Sequence, residues 1–430
     1  MTEPTGHQGH QDDQGHQHSG HHHGGPGGMI SVEAHLADIL ARIRPLPPTQ
    51  LAIPEAEGCV LAEDITASRP LPPFDNSAMD GYALVAADVA DASKDTPVTL
   101  RVSGEVAAGD TGHYAVTPGS CLRITTGAKL PAGADAVIPV EDTDGGLAQV
   151  AIRAAARPGD SVRFSGGDAQ QGDVLLAAGT RLGPMQIAVL AASGRARAEV
   201  YPRPRVVVLS TGNELTAPGT QLAPGRIWDS NSYMLMAAAH EAGCLAYRHG
   251  PVPDDPLELL PAIEDQLLRA DLLVTSGGVS MGGEHDVVKE TLSRLGTVQF
   301  RKVAMQPGMP QGFGTIGEDE TPIFTLPGNP VSAYVSFQLF ALPALGALQG
   351  EPDRTLPVFP ATTTGPLRSP PGRRSFLRGV LDPAAGTVTP LTGQGSHQIA
   401  TLGKANALII VPEWVVSMNE GDSVEVLVLP

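Results

Sequence analysis

Residues 205–345 alternate short apolar runs with helical patterns, and this alternation restricts the fold more than any other feature of the sequence. Residues 206–209 are apolar without interruption, as is typical of a strand buried on both faces of a parallel sheet. Comparable runs occur at 271–274 and 323–326. Helices are predicted at 231–243, at 256–269 with Pro261 marking a later start or a kink, at 287–295, and from 331 onward. Strand alternating with helix over about 140 residues predicts a doubly wound α/β domain.

Three of the predicted strands end in turns of small and polar residues, at 211–214, 276–280 and 327–330. In open parallel sheets, ligands bind beyond the carboxyl ends of the strands, where such turns lie together. Gly277 and Gly278 lack side chains, so backbone N–H groups there can approach a phosphate or a flat heterocycle. Plain strand-to-helix turns also use glycine, but three such turns on one edge favour a pocket for a nucleotide or phosphate ligand.

Charged side chains accompany these turns. Glu214 and Asp286 follow the first and second turns, and carboxylates near bound phosphate are best explained by Mg²⁺. The alternative, stronger for Asp286, is that they complement a helix dipole. Lys302 ends another predicted strand and could face an anion, although surface lysines are usually only solvated. His397 is interpreted as a surface histidine, since no partner for a general base is evident.

Residues 73–83 place two aspartates, an asparagine and a serine in a loop without core periodicity. Ordered loops that carry carboxylates are where binding and catalysis concentrate, so this loop is a candidate site. The alternative is a turn whose short polar side chains cap their own backbone. Residues 61–152 and 346–430 contain short strands separated by turn residues, which predicts two β domains.

Length, charge and cysteine content restrict the functional class. A chain of 430 residues should form about two to four domains. A formal net charge of −18 argues against nucleic acid or an anionic membrane as a partner. No apolar run approaches the roughly 18 residues that cross a bilayer, and the sequence does not begin with a signal peptide. Three widely spaced cysteines support neither a disulfide framework nor a zinc site, so a cytoplasmic location is expected.

Residues 1–28 are rich in histidine and glycine and nearly devoid of apolar side chains, so they cannot build a core. We interpret this segment as a disordered tail that binds metal only incidentally, and not as a segment that stores metal. Folded structure is expected to begin near Met29, with Ser31 as the N-cap of a first helix.

Seven segments, taken together and in order, resemble the molybdopterin molybdenumtransferases, the MoeA family, also seen as the C-terminal domain of gephyrin. The segments are 74–83, 126–137, 140–143, 210–215, 276–282, 326–332 and 394–397. The resemblance extends from about Ser31 to the C-terminus.

The resemblance implies a multidomain fold of class α/β plus β. Its parts are a disordered tail (1–28), a doubly wound molybdopterin-binding-like α/β domain (29–44 with 196–345), an elongated linker domain (45–60 with 156–195), a β domain inserted through that linker (61–155) and a C-terminal β-barrel-like domain (346–430). It also implies a homodimer with its site at the subunit interface, where Asp75 is contributed in trans.

The implied reaction transfers molybdenum from molybdate to adenylylated molybdopterin, releases AMP and depends on Mg²⁺. An upstream adenylyltransferase is the implied partner that supplies the substrate. The implied catalytic residues are Asp75, Glu214, Asp286 and Lys302, of which the three carboxylates bind the metal, with Asp254 and Glu141 as weaker candidates. The implied substrate-binding residues are Thr126, Ser276, Gly277, Gly278, Ser280, Pro327, Gly328, Asn329, Ser332, Arg378 and Ser396. Hydroxyls and cations in this set suit the molybdate dianion.

Two departures from the family's pattern affect the anion site. Gln306 and Met309 stand where the family often carries lysines, which predicts a less positive site and a lower affinity for molybdate. The 282–286 loop is one residue longer than the common form, which weakens the placement of Asp286. Two alternatives stay open: an adenylyltransferase that uses the α/β domain alone, which leaves Asp75 and Arg378 without a purpose, and a gephyrin-like scaffold, which needs a receptor groove and a partner domain.

Overall fold

Residues 28–277, 287–294 and 298–430 are described by the computed structural model, and they divide into two units. The N-terminal unit comprises residues 44–203 with 346–352. The C-terminal unit comprises the residues up to Ile43, together with 204–345 and 353–430. The partition predicted from the sequence is finer than this division and stays a prediction.

The N-terminal unit is built mainly from short strands. They are β1 (Thr49–Ala52), β2 (Val60–Leu61), β3 (Ile65–Thr66), β4 (Asn76–Ser77), β5 (Gly81–Leu84), β6 (Val98–Val106), β7 (Ser120–Ile124), β8 (Ala136–Pro139), β9 (Gln149–Ile152), β10 (Val162–Arg163), β11 (Val174–Leu176) and β12 (Arg197–Tyr201). The α-helix Pro184–Ala192 and the 3-10 helices Ile53–Glu55, Ala86–Val89 and Val140–Asp142 connect them. A five-stranded sheet has the order β8-β5-β7-β6-β9, which confirms the short strands predicted within residues 61–152.

The 73–83 loop leads directly into the core of this sheet. Gly81 begins β5, and a Cβ there would lie 1.9 Å from the carbonyl oxygen of Ile138 in the neighbouring strand. The next residue, Tyr82, is fully buried, and its O–H donates to the carbonyl of Gly146 at 3.0 Å. Gly81 therefore has a steric role, because no larger residue fits between the two strands.

The cysteines behave as small apolar residues, as their spacing predicted. Cys59, Cys121 and Cys244 are all buried and none forms a disulfide. Burial raises the pKa of the Cys121 thiol to about 12, so that thiol stays protonated at neutral pH.

The C-terminal unit contains the predicted α/β sheet. Its strands up to residue 326 are β13 (Arg205–Thr211), β14 (Leu215–Thr216), β15 (Ile227–Trp228), β16 (Leu245–Val252), β17 (Leu272–Ser276), β18 (Gln299–Lys302), β19 (Met305–Gln306), β20 (Pro310–Ile316) and β21 (Thr321–Leu326). Its helices are Val32–Leu40, Asn231–Glu241, Pro256–Leu267, Val287–Arg294, Pro330–Ser336, the π-helix Phe337–Ala341, Leu342–Leu348 and Ile399–Leu402. Ser31 caps the first helix by accepting from the N–H of Ala34 at 3.1 Å, as predicted.

The sheet has the order β16-β13-β17-β21-β20-β18, and its first four strands are parallel. β20 runs antiparallel to both of its neighbours, so the sheet is mixed at one side. The sequence did not predict β20, because a strand that begins with proline and contains two glycines has low β propensity. Gly312 is nevertheless required there, since its Cβ would lie 2.8 Å from the ring of Phe300.

The helix that packs near this sheet at residues 256–267 begins at Pro256 and not at Pro261. Asp255 is its N-cap and accepts from the N–H of Leu257 at 2.9 Å. The helix continues through Pro261, so the later start that Pro261 suggested is wrong.

One apolar segment contradicts the expectation that no run approaches membrane-spanning length. The helical stretch Pro330–Leu348 is long and apolar enough to cross a membrane by length and composition. However, 89% of its apolar window is buried inside the protein. Burial of this kind is typical of a core helix, and it explains why the stretch lacks a polar face.

The end of the chain contains a closed barrel. The strands of this region are β22 (Val358–Thr363), β23 (Leu367–Arg368), β24 (Arg374–Asp382), β25 (Thr387–Pro390), β26 (Ala407–Val411), β27 (Ser417–Met418) and β28 (Ser423–Val428), of which β23 and β27 pair with each other outside the barrel. The order β24-β25-β22-β28-β26 closes through pairing of β24 with β26, and β19 adds to the edge of β24. The predicted fold class, α/β plus β in several domains with a C-terminal barrel, is confirmed.

A buried histidine makes the stability of the C-terminal unit depend on pH. His35 is 3% exposed and packs edge-on against Phe340, with ring centroids 4.8 Å apart. Burial, with help from the positive charge of Arg301, lowers the pKa of His35 to about 4, below its ordinary value of 6.5. The unfolded chain therefore binds more protons between these two values, so stability falls as the pH drops from 6.5 towards 4.

We expect a His35→Leu variant to lose this dependence. The thermal midpoint of the parent should fall more steeply between pH 6.5 and pH 4 than that of the variant. The difference in unfolding free energy between the parent and the variant should change by up to about 1.4 kcal/mol per pH unit, which is the largest slope that the titration of one proton can give. Parallel curves for the two proteins would contradict a neutral buried His35.

Candidate functional site

A cavity of about 680 Å³ lies at the carboxyl ends of the parallel strands in the C-terminal unit. It is lined by residues 210–212, 214, 215, 227–231, 254, 276, 277, 310, 327–330, 397 and 399. The three turns that the sequence singled out, after β13, β17 and β21, therefore border one cavity. Of the predicted site residues, Glu214, Ser276, Gly277, Pro327, Gly328 and Asn329 line it.

The turns approach each other closely because glycine is present at the contact points. Gly277 has a φ of +109°, and a Cβ there would lie 2.6 Å from the carbonyl oxygen of Thr211. A Cβ on Gly328 would lie 3.6 Å from the Cα of Gly277. The absence of side chains leaves backbone amides as the groups nearest the cavity at this point.

Asn231 ties two of the turns together. Its Nδ2 donates to Ser276 Oγ at 2.8 Å and to the carbonyl of Gly328 at 2.7 Å. Its Oδ1 is buried and has no hydrogen-bond partner among the described residues. A buried acceptor without a partner costs free energy, so it points to a donor that arrives with a ligand or with water.

Asp229 has a structural role at the inner wall. Its buried carboxylate accepts from Ser210 Oγ at 2.6 Å and from the backbone N–H of Ser232 at 3.1 Å. Ser232 Oγ donates to it as well, and Arg248 Nη1 lies 4.0 Å away. These contacts fix the start of the helix Asn231–Glu241 against the end of β13, as the predicted cap at 229–231 implied.

Two carboxylates face the cavity from one side. Glu214 is exposed in the turn after β13. Asp254 is held beside that turn by reciprocal hydrogen bonds, in which the N–H of Asn213 donates to Asp254 Oδ2 at 3.3 Å and the N–H of Asp254 donates to Asn213 Oδ1 at 3.2 Å. Mg²⁺ commonly takes one or two protein carboxylates and completes its shell with phosphate and water, and this pair fits that requirement. No cluster of three or more potential metal ligands is found in the described ranges.

Gly278, Ser280 and Asp286 lie outside the described residues, as does the longer loop at 282–286 and the histidine-rich tail up to residue 27. Their predicted roles stay predictions.

Arg378 does not line the cavity as the sequence analysis expected of a molybdate ligand. It is 1% exposed, and its guanidinium donates to the carbonyls of Gly393, Gln398 and Gly395 at 2.7, 2.8 and 3.1 Å. Burial lowers the pKa of this guanidinium. The side chain therefore holds the shape of the 393–398 loop, because Leu377 and Leu381 of β24 face the barrel core and Arg378 lies on the opposite face of the strand, under that loop.

The 393–398 loop reaches the cavity through His397, whereas Ser396 does not line the cavity and contacts the turn after β21. Asn329 Nδ2 donates to Ser396 Oγ at 3.0 Å, and the N–H of Val331 donates to the Ser396 carbonyl at 3.1 Å. His397 is exposed, as predicted, and it also lines the cavity. Ser332, in contrast, is 4% exposed and does not line the cavity.

Lys302, the cation predicted to bind an anion, lies at the edge of the sheet that carries the cavity, but it is not one of the residues that line the cavity. Lys302 is exposed at the end of β18 and pairs with Pro310, which does line the cavity. Further along, Gln306 Oε1 accepts from Arg373 Nη1 at 3.4 Å.

Asp75 and Thr126 belong to the N-terminal unit. Thr126 donates through its N–H and its hydroxyl to Asp80 Oδ1, at 2.6 and 2.9 Å, and these bonds lower the pKa of Asp80. Asn76 and Ser77 also bond to the backbone of their own loop. The self-capping interpretation of the 73–83 loop therefore holds for Asn76 and Ser77, whereas Asp80 ties the loop to the separate turn at Thr126.

Asp75 differs from the other polar residues of the loop. Its Oδ1 accepts from the N–H of Ser165 at 2.7 Å, and its side chain is exposed. An oriented and exposed carboxylate is available for a ligand, which is consistent with its predicted role.

Sequence reasoning missed several residues of the cavity wall, among them Ile227, Trp228 and Asn231. The segment 229–231 was interpreted only as a helix cap. The sequence does contain one indication of an apolar cavity wall, because the large apolar residues Ile227 and Trp228 come directly before that polar cap.

Three family models match the chain in succession. "MoeA N-terminal region (domain I and II)" matches residues 30–194, "Probable molybdopterin binding domain" matches residues 207–347, and "MoeA C-terminal region (domain IV)" matches residues 360–429.

Relatives match over almost the whole chain. Molybdopterin molybdenumtransferase 2 of Mycobacterium tuberculosis (strain ATCC 25618 / H37Rv) is 44% identical over 404 residues, which covers 93% of this chain and 99% of the relative. The molybdopterin molybdenumtransferase of Haemophilus influenzae is 35% identical over 390 residues, with 88% and 94% covered. The crystal structure of a molybdopterin biosynthesis MoeA protein from Pyrococcus horikoshii has a TM-score of 0.78 at 34% identity, covering 93% of this chain and 99% of that chain.

Proposed function

Since the chain belongs to the MoeA family and is a transferase of molybdenum cofactor biosynthesis, we propose that it inserts molybdenum from molybdate into adenylylated molybdopterin and releases AMP. The observation that carries the proposal is the cavity in which three amide-rich turns and two carboxylates meet. A phosphorylated ligand needs hydrogen-bond donors for its oxygens, and a chain with a net charge of −18 has to supply them locally.

The turns supply those donors. In this proposal, Gly277 and Gly328 let backbone amides approach phosphate oxygens, and the helix that begins at Pro330 presents its amino end to the same cavity. Asn231 keeps the turns at a fixed distance by bridging Ser276 and Gly328. An anion site held in this way changes little when the ligand enters.

Glu214 and Asp254 are the residues that would hold Mg²⁺ here, with Asp286 as a further predicted ligand. The ion would supply charge neutralisation at the phosphoanhydride when bound. Without it, the two carboxylates would repel the phosphates.

We place the molybdate site at the side of the cavity formed by the 393–398 loop and the end of β18. Ser396 offers a hydroxyl there, and Lys302 offers a cation at the same sheet edge. Arg378 acts in this proposal by positioning the Ser396 loop. Gln306 and Met309 leave the site less positive than lysines would, which favours a lower affinity for molybdate.

The direct test is a reaction with the purified full-length protein, molybdate, Mg²⁺ and adenylylated molybdopterin. We expect AMP release and active cofactor, both requiring molybdate and Mg²⁺. AMP release is measured by chromatography, and cofactor by reconstitution of an apo-molybdoenzyme. Formation of adenylylated molybdopterin from ATP, without molybdenum insertion, would instead identify an adenylyltransferase.

We also propose that the site is shared between the subunits of a homodimer, with Asp75 from one chain and Glu214 from the other. Heterodimers of an Asp75→Asn chain and a Glu214→Ala chain, purified through two different tags, should keep about half of the parental activity, because one of the two sites is intact. Heterodimers that carry both substitutions on one chain, paired with a parental chain, should be nearly inactive. The reverse ranking would show that each chain builds its own site.

A further inference from the structure

One wall of the cavity is apolar and has no role in the binding of phosphate, metal or molybdate. Ile227 and Trp228 line the cavity, yet they are 55% and 51% exposed. Trp228 is the one aromatic side chain besides His397 among the described residues that line the cavity, and Ile227 lies next to it. Adjacent large apolar groups inside a cavity indicate a ligand part with an apolar face.

The position of the indole is fixed by its surroundings. Trp228 lies on β15, which pairs with β14 so that Thr216 stands opposite Trp228. Its Nε1–H donates to the carbonyl of Thr220 at 3.2 Å. Because the polar edge of the indole already has a partner within the protein, aromatic surface is what it offers to a ligand.

Asn231 stands beside the indole in the same wall. Both Nδ2 hydrogen bonds of Asn231 go to the turns after β17 and β21, which fixes the orientation of the amide. The apolar wall is therefore held at a fixed position relative to the glycine-containing turns.

We propose that the wall formed by Ile227, Trp228 and Asn231 recognises a flat nitrogen heterocycle. Trp228 is its stacking surface, Ile227 extends the apolar surface, and Asn231 fixes the wall to the glycine-containing turns. The choice of ligands rests on the proposed function, since adenylylated molybdopterin carries two such heterocycles, adenine and the pterin. Stacking on an aromatic side chain depends little on which ring is bound, so the two share this chemistry.

The chain offers a clean optical probe, because it contains two tryptophans, Trp228 and Trp414. Trp414 is 76% exposed on the barrel and does not line the cavity. In a Trp414→Phe background, the tryptophan emission therefore reports on Trp228. We expect AMP or 6-hydroxymethylpterin to change this emission in a saturable way, and ribose 5-phosphate, which lacks a heterocycle, to leave it unchanged.

Calorimetric titration then identifies the ring. We expect Trp228→Ala to weaken the binding of AMP or of 6-hydroxymethylpterin by about tenfold, and Trp228→Phe to weaken it by less than about threefold. The affected ligand is the one that stacks. Equal affinity of Trp228→Ala and the parent for both ligands would overturn the proposal, as would an equal emission change with ribose 5-phosphate.

These measurements are independent of turnover. Loss of heterocycle binding in Trp228→Ala with no molybdenum insertion by the parent would refute only the proposed function. Molybdenum insertion with unaltered binding by Trp228→Ala would refute only the stacking role.

Discussion

Replacement of Glu214 by alanine is expected to lower AMP release by about tenfold or more, equivalent to at least about 1.4 kcal/mol of transition-state stabilisation. The side chain lines the same cavity as Asp254, and its loss leaves Asp254 as the one carboxylate proposed for Mg²⁺ among the described lining residues. A metal shell that relies on few protein ligands is sensitive to the loss of any one of them. The measurement is the AMP release rate as a function of Mg²⁺ concentration.

Glu214→Gln separates charge from size, and it should be impaired almost as strongly, with partial recovery at high Mg²⁺. Glu318→Ala is the matched control. Glu318 is exposed in the turn between β20 and β21, which lies at the edge of the sheet opposite the cavity. Full activity of Glu214→Ala at limiting Mg²⁺ would remove this residue from the site.

The second large effect is expected from Gly277→Ala. The new Cβ would lie 2.6 Å from the carbonyl oxygen of Thr211, and the backbone φ of +109° is strained for any residue with a side chain. The neighbouring strands cannot separate easily, because Ser210 and Ser276 are paired partners in the parallel sheet. We expect the C-terminal unit to lose about 2–4 kcal/mol of stability and the cavity to lose AMP binding.

Gly421→Ala is the control for backbone conformation alone. Gly421 has a φ of +89°, and nothing lies within 4 Å of its added Cβ. In thermal unfolding, Gly421→Ala should show a moderate loss of stability and Gly277→Ala a larger one. In AMP titrations, Gly421→Ala should bind normally and Gly277→Ala should not. Normal AMP affinity in Gly277→Ala would mean that the close approach of the turns is not needed for binding.

The convergence of the three turns could be predicted from sequence because it follows from topology. Once residues 206–209, 271–274 and 323–326 are interpreted as parallel strands, their following turns must lie at one edge. The glycines in those turns then indicate where backbone approaches backbone. No side-chain coordinates are needed for that conclusion.

Burial of charged and aromatic side chains could not be predicted in the same way. Arg378 looked like a cation for an anionic substrate, yet the 393–398 loop covers it and takes its hydrogen bonds. Trp228 sits before a helix cap, and only the tertiary pairing of β14 with β15 brings it to the cavity. Both outcomes depend on contacts between segments that are distant or irregular in sequence, where periodicity carries no signal.

The buried guanidinium of Arg378 links the cavity to the C-terminal barrel. It anchors the 393–398 loop to the barrel, and that loop supplies His397 to the rim. A fragment truncated before residue 353 would keep the glycine-lined sheet edge but would lack this rim and the arginine that shapes it. The C-terminal region therefore contributes part of the cavity wall. An α/β domain on its own would lack that part of the wall and would need other residues in its place.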